Sequence, residues 1–192
     1  MGFFSKLLGI RFGLDGRWAE TVSEFSRLHD IGKVAIPDGI LLKPSRLTLQ
    51  ERAVMCTHTT HGLTIVEGLV ESSGMIRTSD AAILKAIVEL HHESPDGSGY
   101  PHGLRDTAIP IEARIVKVAD IFDALTTPRP YKSPWPVDQA LDWLRGSSGV
   151  TVDAIAVDIV LGLKPELEAI QARWRDQDAA TDTRAGIAAR IG

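Results

Sequence analysis

Residues 111–125 read IEARIVKVADIFDAL. Ile115, Val116, Val118, Ala119, Ile121, Phe122, Ala124 and Leu125 leave this block almost no polar face, and a helix apolar nearly all round belongs at the centre of a bundle. Outward from it, apolar residues recur at helical spacing and strict alternation is nearly absent, so the fold class is all-α. Upstream, one block runs from about Ala19 to Gly32 with Val22, Phe25 and Leu28 on a stripe. A second starts after Thr48, a cap residue, and runs through Val54, Ile65 and Leu69 to the Ser72-Ser73-Gly74 turn. A third begins at Ser79 or Asp80 and carries Ile83, Leu84, Ile87 and Val88 to His91-His92; the turn formers from Ser94 to Pro101 make a loop. Downstream, helices are expected over roughly Val137–Arg145 and Val152–Leu163. A last one carries Leu167, Ile170 and Trp174 before the chain turns polar from Asp176.

With 192 residues the chain has the size of one domain. A hydrophobic fraction of 44% against 24% charged residues describes a globular protein with a real core. The net charge of −4 offers no general basic field for duplex nucleic acid or anionic lipid. Cys56 stands alone, which excludes an internal disulfide and any CxxC metal or redox motif and fits a cytoplasmic setting. Lys6 interrupts the apolar start, so Phe3, Phe4, Leu7 and Leu8 read as a docked amphipathic turn rather than a signal or membrane anchor. No window is long and apolar enough to span a bilayer.

The chemistry lies in the histidines and their neighbouring aspartates. His29-Asp30 closes the first block, His58 and His61 lie in the second, His91-His92 ends the third, and Asp120 sits inside the apolar fourth. An ionised carboxylate on such a helix costs several kcal/mol to bury unless a cation or strong donors face it. A metal meets that need: imidazoles and carboxylates suit iron, manganese or zinc, and two such ions close together make a site for phosphate ester hydrolysis. Plainer accounts exist for each residue alone. His61 and His102 read as structural, His91-His92 as a favourable helix end, and Asp120 as a partner of Arg114 or Arg129. Four successive helices each contributing one polar element make coincidence a poor account of the set.

These residues are ordered as in a known family. Leu28-His29-Asp30-Ile31-Gly32-Lys33, Ile36-Pro37-Asp38 and Leu42-Lys43-Pro44, then His91-His92-Glu93, Asp96-Gly97, Gly99-Tyr100-Pro101 and Gly103-Leu104, then Val118-Ala119-Asp120, Asp123-Ala124-Leu125-Thr126 and Arg129-Pro130-Tyr131 resemble the HD-GYP domain over about Phe12 to Leu163. The resemblance implies an HD-domain-like helical bundle in the bacterial cytoplasm that hydrolyses cyclic di-GMP to linear pGpG or GMP with two divalent ions, iron or manganese. It implies His29, Asp30, His58, His91, His92 and Asp120 as ligands, with Asp30 bridging. It gives Asp30 and Lys33 catalytic roles, Lys33 holding a phosphate oxygen; Asp123, Arg129 and Lys132 contact the nucleotide and Tyr100 packs on a base. The Gly-Tyr-Pro loop also resembles a surface that binds diguanylate cyclase domains.

The sequence departs from that pattern in three places. Only 28 residues precede His29 and none is a histidine, whereas the family's first helix supplies a further ligand. Residues 1–11 are accordingly expected as an appendage, 12–163 as the domain, lacking the family's first helix, and 164–192 as a C-terminal helix and polar tail. Ser26-Arg27 replaces small or apolar residues, and a missing first helix would leave that face wet, open to a second subunit in a homodimer. Ser94-Pro95 replaces an aromatic and a basic residue. Alternatives to the hydrolase are a non-hydrolytic module binding cyclic di-GMP or a diguanylate cyclase domain, and a hydrolase of another nucleotide phosphate ester.

Overall fold

Local signals set most of the helix starts. In the computed structural model, which describes residues 1–73, 77–128 and 133–172, α1 spans Gly2–Arg11 and α2 spans Gly16–Phe25, opened by Asp15, whose carboxylate accepts the Trp18 N–H. Short 3-10 turns cover Ser26–Leu28 and Ile31–Ala35, before the single turn of α3, Asp38–Leu41. α4 is Leu49–Cys56, begun by a full capping box between Thr48 and Glu51. α5 is His58–Ser73, α6 Thr78–Leu90, α7 Ile111–Thr126, α8 Val137–Gly146 and α9 Ala154–Gly162, and 164–172 is helical too. Among the described residues, β-structure is limited to two isolated bridges, Asp96 with Arg105 and Ser148 with Val152. No helix among them is long and apolar enough to cross a membrane.

The block at 111–125 is the central helix that its sequence predicts. Ile115, Val116, Val118 and Ala119 are fully buried, and α1, α6, α8 and α9 pack around α7. Each large aliphatic side chain buried there contributes about 1.5–3 kcal/mol through removal of apolar surface from water. A smaller cluster of Val66, Leu84 and Val88 joins α5 to α6.

Three expectations are corrected. The first block is not one helix to Gly32: α2 stops at Phe25, the Ser26 hydroxyl donates to the Ser23 carbonyl, and Leu28 is exposed. A side-chain hydroxyl that takes up a backbone acceptor tightens the last turn in this way. The second block breaks at Thr57, whose hydroxyl donates to the Val54 carbonyl; Val54 and Leu69 are exposed and Val66 is the buried contact. Residues 2–11, expected within an appendage, are α1, with Phe4 and Leu8 buried in the main core. α1 lies over the end of α2, where a Cβ on Gly2 would meet the Ser23 carbonyl. Ser26 is therefore fully buried, while Arg27 beside it is exposed. Gly74, Trp174 and the polar tail lie outside the described residues.

A close backbone approach serves the site. A Cβ on Gly32 would overlap the His58 carbonyl and the Gly62 nitrogen, so the Ile31–Ala35 turn sits directly on α5. Only hydrogen fits there, and the contact brings the His29-Asp30 segment against His58.

Candidate metal centre

Three histidines are oriented by one device. Nδ1 of His29 faces the Ser26 carbonyl at 2.8 Å, Nδ1 of His58 faces the Met55 carbonyl at 2.8 Å, and Nδ1 of His91 faces the Ile87 carbonyl at 2.9 Å. A carbonyl only accepts, so Nδ1 carries the proton and Nε2 is left as a lone pair. This outer hydrogen bond is the one that fixes tautomer and ring direction in metal-binding histidines.

The Nε2 atoms converge on Asp30. Its Oδ1 is 3.3 Å from His58 Nε2 and 3.8 Å from His91 Nε2; its Oδ2 is 3.2 Å from His29 Nε2 and 2.6 Å from Lys33 Nζ. Asp120 Oδ1 approaches His29 Nε2 from α7 at 3.6 Å. One donor atom each from Asp30, His58, His91 and His92 lies within 4.8 Å of the others. Asp30 Oδ1, His58 Nε2 and His91 Nε2 are buried and make no hydrogen bond among the described residues. Lone pairs aimed at one another in a dry site are unfavourable until a cation stands between them. The donor set therefore fits a metal ion, and neutral imidazole with carboxylate suits iron, manganese or zinc.

The electrostatics agree. Burial, followed by repulsion from neighbouring histidines, pushes His91 well down and His92 down to about 3, so both are neutral and ready to ligate at pH 7. Burial opposes ionisation of Asp30, but the proton that neighbouring His29 takes up and the Lys33 ammonium hold its carboxyl well below the usual carboxylate range. For His29, burial works downward and the hydrogen bond and charge of Asp30 outweigh it, so its pKa rises. A proton on His29 competes with a metal at that nitrogen.

Each expected residue has a definite place. Tyr100 stacks on His92, ring centroids 4.7 Å apart and 22° from parallel; burial, then the neighbouring Cys56, pushes the phenol up. Asp123 Oδ1 accepts from the Met1 amino group at 2.9 Å. Arg114 pairs with Asp153 at 2.9 Å. His102 is paired with Glu89 at 2.8 Å, and His61 is exposed on α5. Arg129 and Lys132 lie outside the described residues.

Two residues given no role by the sequence reading hold the centre's far wall. Glu93 is almost fully buried, and its carboxylate accepts the His102 N–H at 2.6 Å and the Leu104 N–H at 2.9 Å, closing the Gly-Tyr-Pro loop upon itself. Gly99 is pressed onto the Glu93 backbone with no room for a Cβ. Lys117, buried on α7, reaches the other side of the same segment; burial pushes its pKa down to about 8. Its signal in the sequence was the one that singled out Asp120, a charge on an apolar helix.

Comparison with known proteins matches the family model described as HD domain over residues 4–155. The chain is 41% identical over 170 residues to a cyclic di-GMP phosphodiesterase response regulator of Xanthomonas campestris, covering 88% of this chain and 43% of that protein. It is 37% identical over 183 residues to a cyclic di-GMP phosphodiesterase of Thermotoga maritima, covering 94% and 47%. It is 39% identical over 176 residues to 3′3′-cGAMP-specific phosphodiesterase 2 of Vibrio cholerae, covering 92% and 32%. The chain thus spans less than half the length of these relatives. A solved cyclic GMP-AMP specific phosphodiesterase of V. cholerae shares the fold at TM-score 0.58 and 19% identity, covering 84% of this chain and 42% of that one.

Proposed function

The chain belongs to the HD domain family, and from that premise we propose that it is a metal-dependent phosphodiesterase that hydrolyses cyclic di-GMP to pGpG or GMP in bacterial second-messenger signalling. The observation that carries the reading is the convergence of Asp30 Oδ1 with the unpartnered Nε2 atoms of His58 and His91. Two carboxylate edges support a two-ion site: Asp30 Oδ1 faces His58 and His91 while Oδ2 faces His29, which leads on to Asp120. Two divalent ions, iron or manganese, would be held by His29, Asp30, His58, His91, His92 and Asp120, supplying Lewis acidity and an activated water at neutral pH.

This chain's own residues do the rest. Asp30 keeps its charge at every working pH because its partners favour the ionised form. Lys33, whose Nζ pairs with that carboxylate, holds a phosphate oxygen in this reading and stabilises charge that develops on it. Tyr100 offers a base the ring face that His92 does not cover, and Asp123, Arg129 and Lys132 complete nucleotide contact.

A second reading is favoured by the relatives named as 3′3′-cGAMP-specific, namely hydrolysis of a hybrid cyclic dinucleotide. The test is incubation of Mn²⁺- or Fe²⁺-loaded protein with cyclic di-GMP and 3′3′-cGAMP, with products separated by chromatography. Linear product from cyclic di-GMP in preference supports the first reading, and preference for 3′3′-cGAMP the second. Saturable binding without product from either identifies a non-hydrolytic module and overturns both.

A further inference from the structure

Lys117 Nζ donates to the Glu93 carbonyl at 2.6 Å, to the Ser94 hydroxyl at 2.7 Å and to the His92 carbonyl at 3.2 Å. The side chain is buried, so these acceptors replace water for its N–H groups. They are also what the segment just past the end of α6 needs, since a chain leaving a helix carries carbonyls that the helix no longer satisfies. Lys117 is three residues before Asp120 on α7, which puts both on one face of that helix. His92, whose carbonyl Lys117 holds, follows His91 directly. One turn of α7 thus carries a candidate ligand and a tether to the segment that carries two others.

We propose that Lys117 is a positioning residue that fixes the distance between the two halves of the metal centre, the His29–Asp120 side and the His91–His92 side. Without the tether, α7 and the end of α6 are joined near the centre by apolar contacts, which resist separation but specify position loosely. With it, the His92 backbone is pinned to the helix that presents Asp120. The ring of His92 is then held between its own backbone and the stacked Tyr100. The inference rests on the metal-centre reading above and goes beyond it by assigning a role to a residue that touches neither metal nor substrate.

The experiment is Mn²⁺ titration of the metal-free wild type and the Lys117→Met, Lys117→Arg and Ser94→Ala variants, followed by electron paramagnetic resonance of bound ion and by chelator competition, with circular dichroism for folding. Loss of an outer-shell partner weakens metal binding by about 10–100-fold. Lys117→Met is expected to fold, to lose affinity in that range for at least one ion, and to lose any spin coupling between ions; Lys117→Arg restores part of it. Wild-type affinity and coupling in Lys117→Met overturn the inference while leaving the metal reading intact. No metal bound by the wild type overturns the metal reading itself. Should Lys117→Met fail to fold, Ser94→Ala, which removes one acceptor from the tether, decides: a measurable loss of affinity or coupling supports the tether, and none contradicts it.

Discussion

Asp30 Oδ1 and His58 Nε2 stand 3.3 Å apart, both buried and both without a hydrogen bond among the described residues. Because His58 gives its Nδ1 proton to the Met55 carbonyl, this pair sets two acceptors against each other. The fold holds them together through the Gly32 contact with α5, storing a need for a cation.

Asp30→Ala removes the carboxylate whose two oxygens face three histidines and Lys33. Bound metal and phosphodiesterase turnover should both fall by more than about 100-fold, beyond the loss brought by removing an outer-shell partner, while the helical circular dichroism stays. Full activity in this variant would end the account of the site.

Lys33→Ala separates charge stabilisation from metal binding. Metal content should stay near wild type and kcat should drop by about 10²–10³-fold, the range for losing a positioned donor to developing charge. An unchanged kcat would remove Lys33 from the mechanism.

Stability against pH follows from the buried histidines. With folded-state pKa values pushed down for His91 and His92, the unfolded chain takes up protons below its histidine pKa near 6.5 and the folded chain does not. Each then lowers stability as pH falls, by up to about 1.4 kcal/mol per pH unit. His29, with its pKa raised, contributes stability that is fully present below 6.5 and lost as pH rises through its folded pKa, so it adds no slope in the acid range. Asp30, held low, is ionised in both states until the usual carboxylate range. The urea midpoint of the metal-free protein should therefore fall steadily between about pH 6 and about pH 4.5, and less steeply in His92→Gln. An equal slope in the variant contradicts the assignment.

Leu8→Ala tests whether α1 is part of the core. Its side chain is fully buried against the central cluster, and truncation should cost about 2–5 kcal/mol in urea unfolding. A cost under about 0.5 kcal/mol, typical of a surface site, would make α1 an appendage after all.

How far the sequence could be read depended on the range of the forces involved. α7 was legible because residues 111–125 are apolar on every side, and Asp120 was legible as the charge that such a helix cannot carry alone. The His29, His58 and His91-His92 positions were legible in the order of motifs; the structure brings His29, His58 and His91 to one carboxylate and groups His92 with them. The break of α2 at Phe25 and of the second block at Thr57 was hidden, since it turns on single hydroxyls that bond to backbone carbonyls. The hold of Lys117 on residues 92–94 was hidden too, because its partners are over twenty residues away in the chain.

The central claim, that these donors form a working metal centre, is tested most directly by elemental analysis of protein purified anaerobically, with cyclic di-GMP hydrolysis assayed on the same sample. The account predicts about two equivalents of iron or manganese together with linear product, as a two-ion phosphodiesterase requires. Substoichiometric metal and no product after reconstitution with either metal would contradict it.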